Sequence, residues 1–313
     1  LGYRQMSLQV ALCQLRPVLG DAAQNLAAHH AWLDRALEAK AQLAIFPELS
    51  LHGYFLRDLT QEVALPIDHQ LIQDLVARSR DCSIVFGFVE ESVDHRYFNT
   101  AVFAEDGKIL HAHRKVHLPD YGIFEEGRYF AAGDSIGVVQ SKHGRFGLMI
   151  CEDAWHLSTG WLQFAQGADA LILPSASPAR GIDTADSEMS SQASWNTLVK
   201  AHALFFQSWV FHCNRVGFED GAMFWGGSSV LDPFGEILAS GGQEEELILA
   251  CMESGPLRRA RMGTPLRRDA KPELIRRHLA RLLDDPDATA VLRSESTKLL
   301  DDDAPAHSDP PAS

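Results

Sequence analysis

Cys151 closes an apolar run of Phe146, Leu148, Met149 and Ile150, and is followed at once by Glu152, Asp153 and Trp155. A thiol delivered in this way can act as a nucleophile. Two other segments carry the groups such a thiol needs. FPELSLHGY places Glu48 directly after Pro47 at the end of a strand-like stretch, and HRKVHLPDYGIFEEGRYF carries Lys115 and Glu126.

A thiol with a reference pKa of about 8.5 is only a few per cent thiolate near neutrality, so attack on an amide carbon needs a base nearby. Glu48 is the candidate base. A carboxylate working near neutrality must be tuned by burial and by neighbouring charge, and Lys115 can supply the charge. The larger task of Lys115 comes when a carbonyl or nitrile carbon turns tetrahedral and negative charge gathers on oxygen or nitrogen. Removing one donor aimed at that charge costs about 2.7–4 kcal/mol of transition-state stabilisation, more than an exposed ion pair supplies. The backbone N–H of Glu152, at the turn leaving the strand, is a second donor. Glu48 would then protonate the departing amine and activate the water that cleaves the thioester, while Glu126 would position Lys115 or orient substrate.

Each residue has a plainer reading when taken singly. A lone strand-end cysteine is usually a small buried hydrophobe. Glu48 could cap a helix starting near Ser50, and Lys115 could be a solvated hairpin charge. The three segments together favour chemistry. Cys13, Cys82, Cys213 and Cys251 lack such neighbours and read as packing. His113, His117 and His156 sit near the motifs without the spacing of metal ligands, so no metal is expected.

The elements that must position these groups alternate between strand-like and helix-like patterns, which predicts a layered α/β domain. Residues 8–15, 43–46, 84–89, 100–103, 109–111, 145–150 and 170–173 read as strands, with Asp106-Gly107 as a hairpin turn. Residues 21–40 read as an amphipathic helix capped by Asp21, and residues 188–206 as a second helix. Glu48, Lys115 and Cys151 all fall at or just beyond strand ends, where open α/β sheets gather active-site groups. Strands at 210–214, 228–231, 236–239 and 247–251 come close together and are expected to form a sheet of their own. Two sheets, each with helices on one face, would stack into a four-layer sandwich. Residues 272–283 read as a C-terminal helix that packs on its own domain or is covered by a partner subunit.

The 313 residues are 46% hydrophobic, enough for one large domain, here taken as residues 6–285. Residues 286–313, with Asp301, Asp302, Asp303 and Asp309, read as an acidic tail that cannot bury enough surface to order itself. The net charge of −14, with no basic stripe, argues against nucleic acid as a partner. An odd number of widely spaced cysteines suggests reduced thiols and the cytoplasm. No stretch approaches the roughly 20 apolar residues that span a bilayer, so no membrane partner is expected.

FPELSLHGY, RKVHLPDYGIFEEGRYF and GLMICEDAW resemble the three signature segments of the nitrilase superfamily of carbon-nitrogen hydrolases, in that family's order. The resemblance spans roughly residues 8–251. It implies an αββα sandwich, assembly as a homodimer or larger homo-oligomer, and no metal or organic cofactor. It assigns Glu48 as general base, Lys115 as oxyanion stabiliser, Cys151 as nucleophile and Glu126 as a second structural glutamate. NRVG followed by a GGS segment also resembles the superfamily and suggests a loop around Trp225, Gly226 and Gly227 near the site.

Within the superfamily the chain is similar to the glutaminase domain of glutamine-dependent NAD synthetase. Tyr54, Glu152, Trp155 and Ser177 occupy motif positions that line the glutamine site there. The chain departs from that pattern in two places. Ser240-Gly241-Gly242 is followed by Gln243, Glu244 and Glu245 rather than by an ATP-binding sequence, and the arginine expected six residues after Ser177 is replaced by Asp183, with Arg180 three residues earlier.

The expected function is hydrolysis of a small linear amide to a carboxylate and ammonia or an amine through a covalent thioester. An N-carbamoyl amidohydrolase is one alternative, and a detached glutaminase feeding a separate synthetase is another. From a different class, the chain could be an inactive scaffold that binds a metabolite or a protein partner.

Overall fold

The computed structural model describes residues 7–179, 190–287 and 289–290. The described chain divides into two compact units after Arg267. The first carries fourteen described strands: β1 (Ser7–Gln14), β2 (Leu43–Ile45), β3 (Ser83–Glu91), β4 (Tyr97–Glu105), β5 (Lys108–Arg114), β6 (Val138–Ser141), β7 (Gly144–Leu148), β8 (Ala170–Ser175), β9 (Trp209–Asn214), β10 (Val216–Glu219), β11 (Ala222–Trp225), β12 (Ser229–Leu231), β13 (Ile237–Ser240) and β14 (Glu246–Glu253). Two six-stranded sheets result, ordered β14-β1-β2-β3-β4-β5 and β13-β12-β9-β8-β7-β6, with β10 and β11 as a separate hairpin.

The strands β1 to β4 of the first sheet are largely apolar on both faces, as they must be when both are covered. Val10 and Leu12 of β1, Leu43 and Ile45 of β2, Val85 of β3 and Phe103 of β4 point toward the second sheet, where they share one cluster with Phe146, Leu148 and Ile172. The intervening residues Ala11, Cys13, Ala44, Ile84, Phe86 and Val102 point the other way. They meet Trp32, Leu33 and Ala36 of the helix Ala22–Glu38, and Ile72, Leu75 and Val76 of the helix Gln70–Arg78. On the second sheet the helices Leu157–Ala165 and Ser190–Phe206 contribute Phe164, Trp195, Val199 and Phe206 to the core. The period of two along each strand thus sorts side chains between the sheet–sheet and the sheet–helix layers. This is the αββα sandwich the resemblance implies.

Most expected elements lie within a few residues of their predicted bounds, including the helix capped by Asp21, whose side chain accepts from Gln24 N. The Asp106-Gly107 turn forms with both residues at positive φ, +51° and +75°. One expectation is corrected. β14 does not join the C-terminal strands but pairs antiparallel with β1 over eight residues, Ser7 opposite Glu253 through Gln14 opposite Glu246. The second sheet is instead completed by β6, β7 and β8. The second unit contains the helix Pro272–Asp284, with Leu274, Ile275, Leu279 and Leu282 at helical spacing. Asp301, Asp302, Asp303 and Asp309 lie outside the described residues.

Candidate active site

Glu48 follows β2 by three residues, in a turn that includes Leu49 at φ +47° and Gly53 at φ +83°. The turn is laid against β3 by Phe46 N to Val85 O (2.8 Å) and Leu51 N to Gly87 O (3.0 Å). Gly87 makes that approach possible, since a Cβ there would stand 2.5 Å from Leu49 N. The Glu48 carboxylate is buried and fully engaged. Its Oε1 accepts from Lys115 Nζ (2.8 Å) and Asn99 Nδ2 (2.7 Å), and its Oε2 from the backbone N–H of Ala176 (2.7 Å).

Lys115 is the first residue beyond β5. Its backbone is held from both sides, by its N–H to Asn99 O (2.8 Å) and by Gly133 N–H to its carbonyl (2.7 Å). The buried ammonium bridges two carboxylates, donating to Glu126 Oε1 at 2.6 Å as well as to Glu48. Burial alone would depress its pKa, but Glu126 and Glu48 outweigh that penalty and hold Lys115 charged well above the ordinary lysine value. Burial pushes the Glu126 carboxyl up to about 7, with Lys115 pulling down and Glu48 pushing up. Glu126 Oε1 also accepts from the Tyr54 hydroxyl, whereas Oε2 is buried and has no partner among the described residues.

Cys151 arrives from the other sheet, three residues beyond β7, and opens a short 3₁₀ turn, Cys151–Trp155. Its φ of +45° is rare for a residue with a side chain. The residue lies on the wall of a cavity of about 300 Å³ shared with Tyr121, Phe124, Glu152, Trp155, Ser177 and Trp195. Burial raises its thiol pKa well above the ordinary value; Glu48 adds to the rise and Lys115 opposes it. The resting sulfur is therefore a thiol, and a nucleophilic attack from it needs proton removal in the same step.

Glu48, Lys115 and Glu126 are thus joined directly, and Cys151 lies within electrostatic reach of all three. Glu152, Trp155 and Ser177 share the cysteine's cavity; Tyr121 donates to Glu152 Oε2 at 2.9 Å, and Trp155 meets Trp195 edge to face. Tyr54 departs from this grouping. It lines a neighbouring cavity of about 750 Å³ with Phe55, Tyr129 and Phe130, and touches the charged cluster through Glu126. The positions of Arg180 and Asp183 lie outside the described residues. Trp225 ends β11 with its indole N–H directed at Ser177 Oγ (3.4 Å), and Gly226 and Gly227 turn the chain at φ +70° and +62°.

Sequence reasoning missed three groups. Asn99 holds Glu48 from the middle of an apolar strand, where a buried amide is the signal that could have flagged it. Ala176 acts through its backbone, which no residue type announces. Asp153 draws in His113 Nε2 (2.8 Å) and His117 Nδ1 (3.0 Å), while His117 stacks on His156 with ring centroids 3.7 Å apart. Two of the three clustered histidines are therefore partners of one carboxylate.

The carbon-nitrogen hydrolase family matches residues 9–262 of this chain. A glutamine-dependent NAD(+) synthetase of Thermotoga maritima is 32% identical over 85% of the chain, which spans only 46% of that protein. A chloroplastic omega-amidase of Arabidopsis thaliana is 29% identical over 85% of the chain and 73% of its own length. Among solved structures, an amidase from Nesterenkonia sp. AN1 superposes with a TM-score of 0.74 at 25% identity, covering 88% of this chain and 98% of that one. That structure, a glutamate-to-glutamine mutant, carries the acetamide moiety of fluoroacetamide covalently on its active-site cysteine. Relatives with amidase names support amide hydrolysis as the general chemistry. No helix among the described residues is long and apolar enough to cross a membrane. The family match over residues 9–262, on a sandwich shared with solved amidases, places this chain in the carbon-nitrogen hydrolase family, as an enzyme of the nitrilase superfamily.

Proposed function

We propose that the chain hydrolyses a small linear amide to a carboxylate and ammonia or an amine, through a thioester on Cys151. The observation that carries this reading is the Lys115 ammonium, fixed between Glu48 and Glu126 and electrostatically coupled to a cysteine that opens onto a cavity. In the first half-reaction the Cys151 sulfur attacks the amide carbon while Glu48 takes the thiol proton. The charge that collects on the amide oxygen is held by Lys115 Nζ, with the Glu152 N–H as the second donor. The carbon-nitrogen bond then breaks and Glu48 returns its proton to the leaving nitrogen. In the second half-reaction Glu48 takes a proton from water as the water oxygen attacks the thioester carbon. The carbon-sulfur bond breaks, and the sulfur recovers a proton from Glu48.

Glu126 holds the other side of Lys115 and so fixes the ammonium from both sides. The cavity of about 300 Å³, walled by Tyr121, Phe124, Trp155 and Trp195, suits a compact acyl group. The test compares ammonia release from glutamine, carbamoyl compounds and simple ω-amides, alongside intact-protein mass spectrometry after exposure to an electrophilic amide analogue. Release from at least one class, with a mass adduct that disappears in Cys151→Ala, is expected. No release from any class, or labelling of Cys151→Ala as fast as the parent, overturns the proposal.

A further inference from the structure

Lys115 and Cys151 come from different sheets, so something must hold the two loops in register. Lys115 follows β5 at the edge of the first sheet, and Cys151 follows β7 of the second. Between them stands Asp153, whose side chain is completely buried. Its Oδ1 accepts from Val116 N (3.0 Å), His117 N (2.9 Å) and His117 Nδ1 (3.0 Å). Its Oδ2 accepts from His113 Nε2 (2.8 Å) and Ile150 N (3.0 Å). Three of these donors are backbone amides of residues that directly follow Lys115 or precede Cys151, and His113 lies two residues before Lys115.

We infer that Asp153 is a positioning residue that sets the distance between the Lys115 ammonium and the Cys151 sulfur by clamping both loops onto one carboxylate. The inference rests on the catalytic reading of Lys115 and Cys151 given above. A carboxylate suits the task because its two oxygens accept several donors at once and donate nothing. Burial would by itself raise the Asp153 pKa, but the bonds from His113 and His117 outweigh it and keep the carboxyl ionised well below its usual range. Ala176 N–H to Glu48 also links the sheets at this site and fixes the base. The Tyr121–Glu152 hydrogen bond and the His117–His156 stack join the same two segments through side chains, whereas Asp153 holds the backbone next to Lys115 and Cys151. No group in the clamp touches the cavity that contains the sulfur, so its loss acts on geometry and not on substrate contact.

The experiment measures kcat and KM of Asp153→Ala and Asp153→Asn on an accepted amide, together with iodoacetamide alkylation of Cys151 followed by peptide mapping. Circular dichroism and thermal melts establish that each variant is folded. A misplacement of order 1 Å costs about 100-fold in rate. The expected result for Asp153→Ala is therefore a fall in kcat of about that size, with KM changed by less than about threefold. Asp153→Asn keeps one acceptor oxygen but sets an amide donor against the Ile150 N–H, so it falls between parent and alanine variant. Alkylation should slow in the same order. A folded variant of either kind with kcat within about twofold of the parent, or with its loss confined to KM, overturns the inference. Failure of both variants to fold overturns it in favour of a purely structural role. Cys151→Ala assayed in parallel keeps the two proposals apart, because only a turnover that survives that substitution sinks the thioester reading.

Discussion

Lys115 stands between two buried carboxylates, Glu48 and Glu126. The Glu126 carboxyl is pushed up to about 7 by burial, against the pull of Lys115. In an unfolded chain a glutamate ionises near pH 4.3, so the folded state holds the proton more tightly than the unfolded one. The stability this group contributes is therefore complete below about pH 4.3 and is lost as pH rises through about 7. Replacing Glu126 with Gln fixes the side chain in its neutral form. Thermal melts from pH 4.5 to 8 should show the parent losing stability relative to Glu126→Gln as pH increases. A difference that stays constant with pH would mean the carboxyl is ionised throughout.

The turn after β2 depends on a strand that contributes no chemistry of its own. Gly87 lets Leu49 approach β3, and adding one methyl group there forces Leu49 N, Pro47 O and the Glu48 carbonyl carbon to move. Overpacking of this kind costs about 1–3 kcal/mol. Gly87→Ala should lower the melting temperature and, because Glu48 is carried on the displaced turn, reduce kcat more than it raises KM. Steady-state kinetics on the folded variant checks this. At this scale much was legible in advance. Strand-end placement of Glu48 and Cys151 follows from apolar runs that stop just before them, and that of Lys115 from the hairpin turned by Asp106-Gly107. Partners that act through main-chain groups were not legible, because the amides of Ala176, Val116 and Ile150 look the same whatever side chain they carry. Asp153 was visible as a residue next to Cys151, but its task depends on His113 and His117, which reach it only once two sheets have stacked.

Across the whole molecule the two sheets are held by an apolar layer in which Phe103 of β4 meets Phe146 of β7 with ring centroids 5.5 Å apart. Both rings are fully buried, and Phe146 lies just ahead of the Cys151 turn. Phe146→Ala should cost about 3–5 kcal/mol, a large share of the 5–15 kcal/mol that keeps a typical domain folded. Urea denaturation should show a lower midpoint with an unchanged slope. The sandwich itself was readable from alternating strand-like and helix-like patterns and from the resemblance to the superfamily, but the partner of β14 was not. Alternation tells a strand which faces are covered and says nothing about a neighbour more than 200 residues away. That long-range pairing also constrains how the protein is made. During synthesis β1 emerges well before β14 and can find β2 early, yet its other side stays an unpaired strand edge until residue 253 has emerged. A nascent chain stalled before that point would carry every candidate catalytic side chain and still present an open seam to its neighbours.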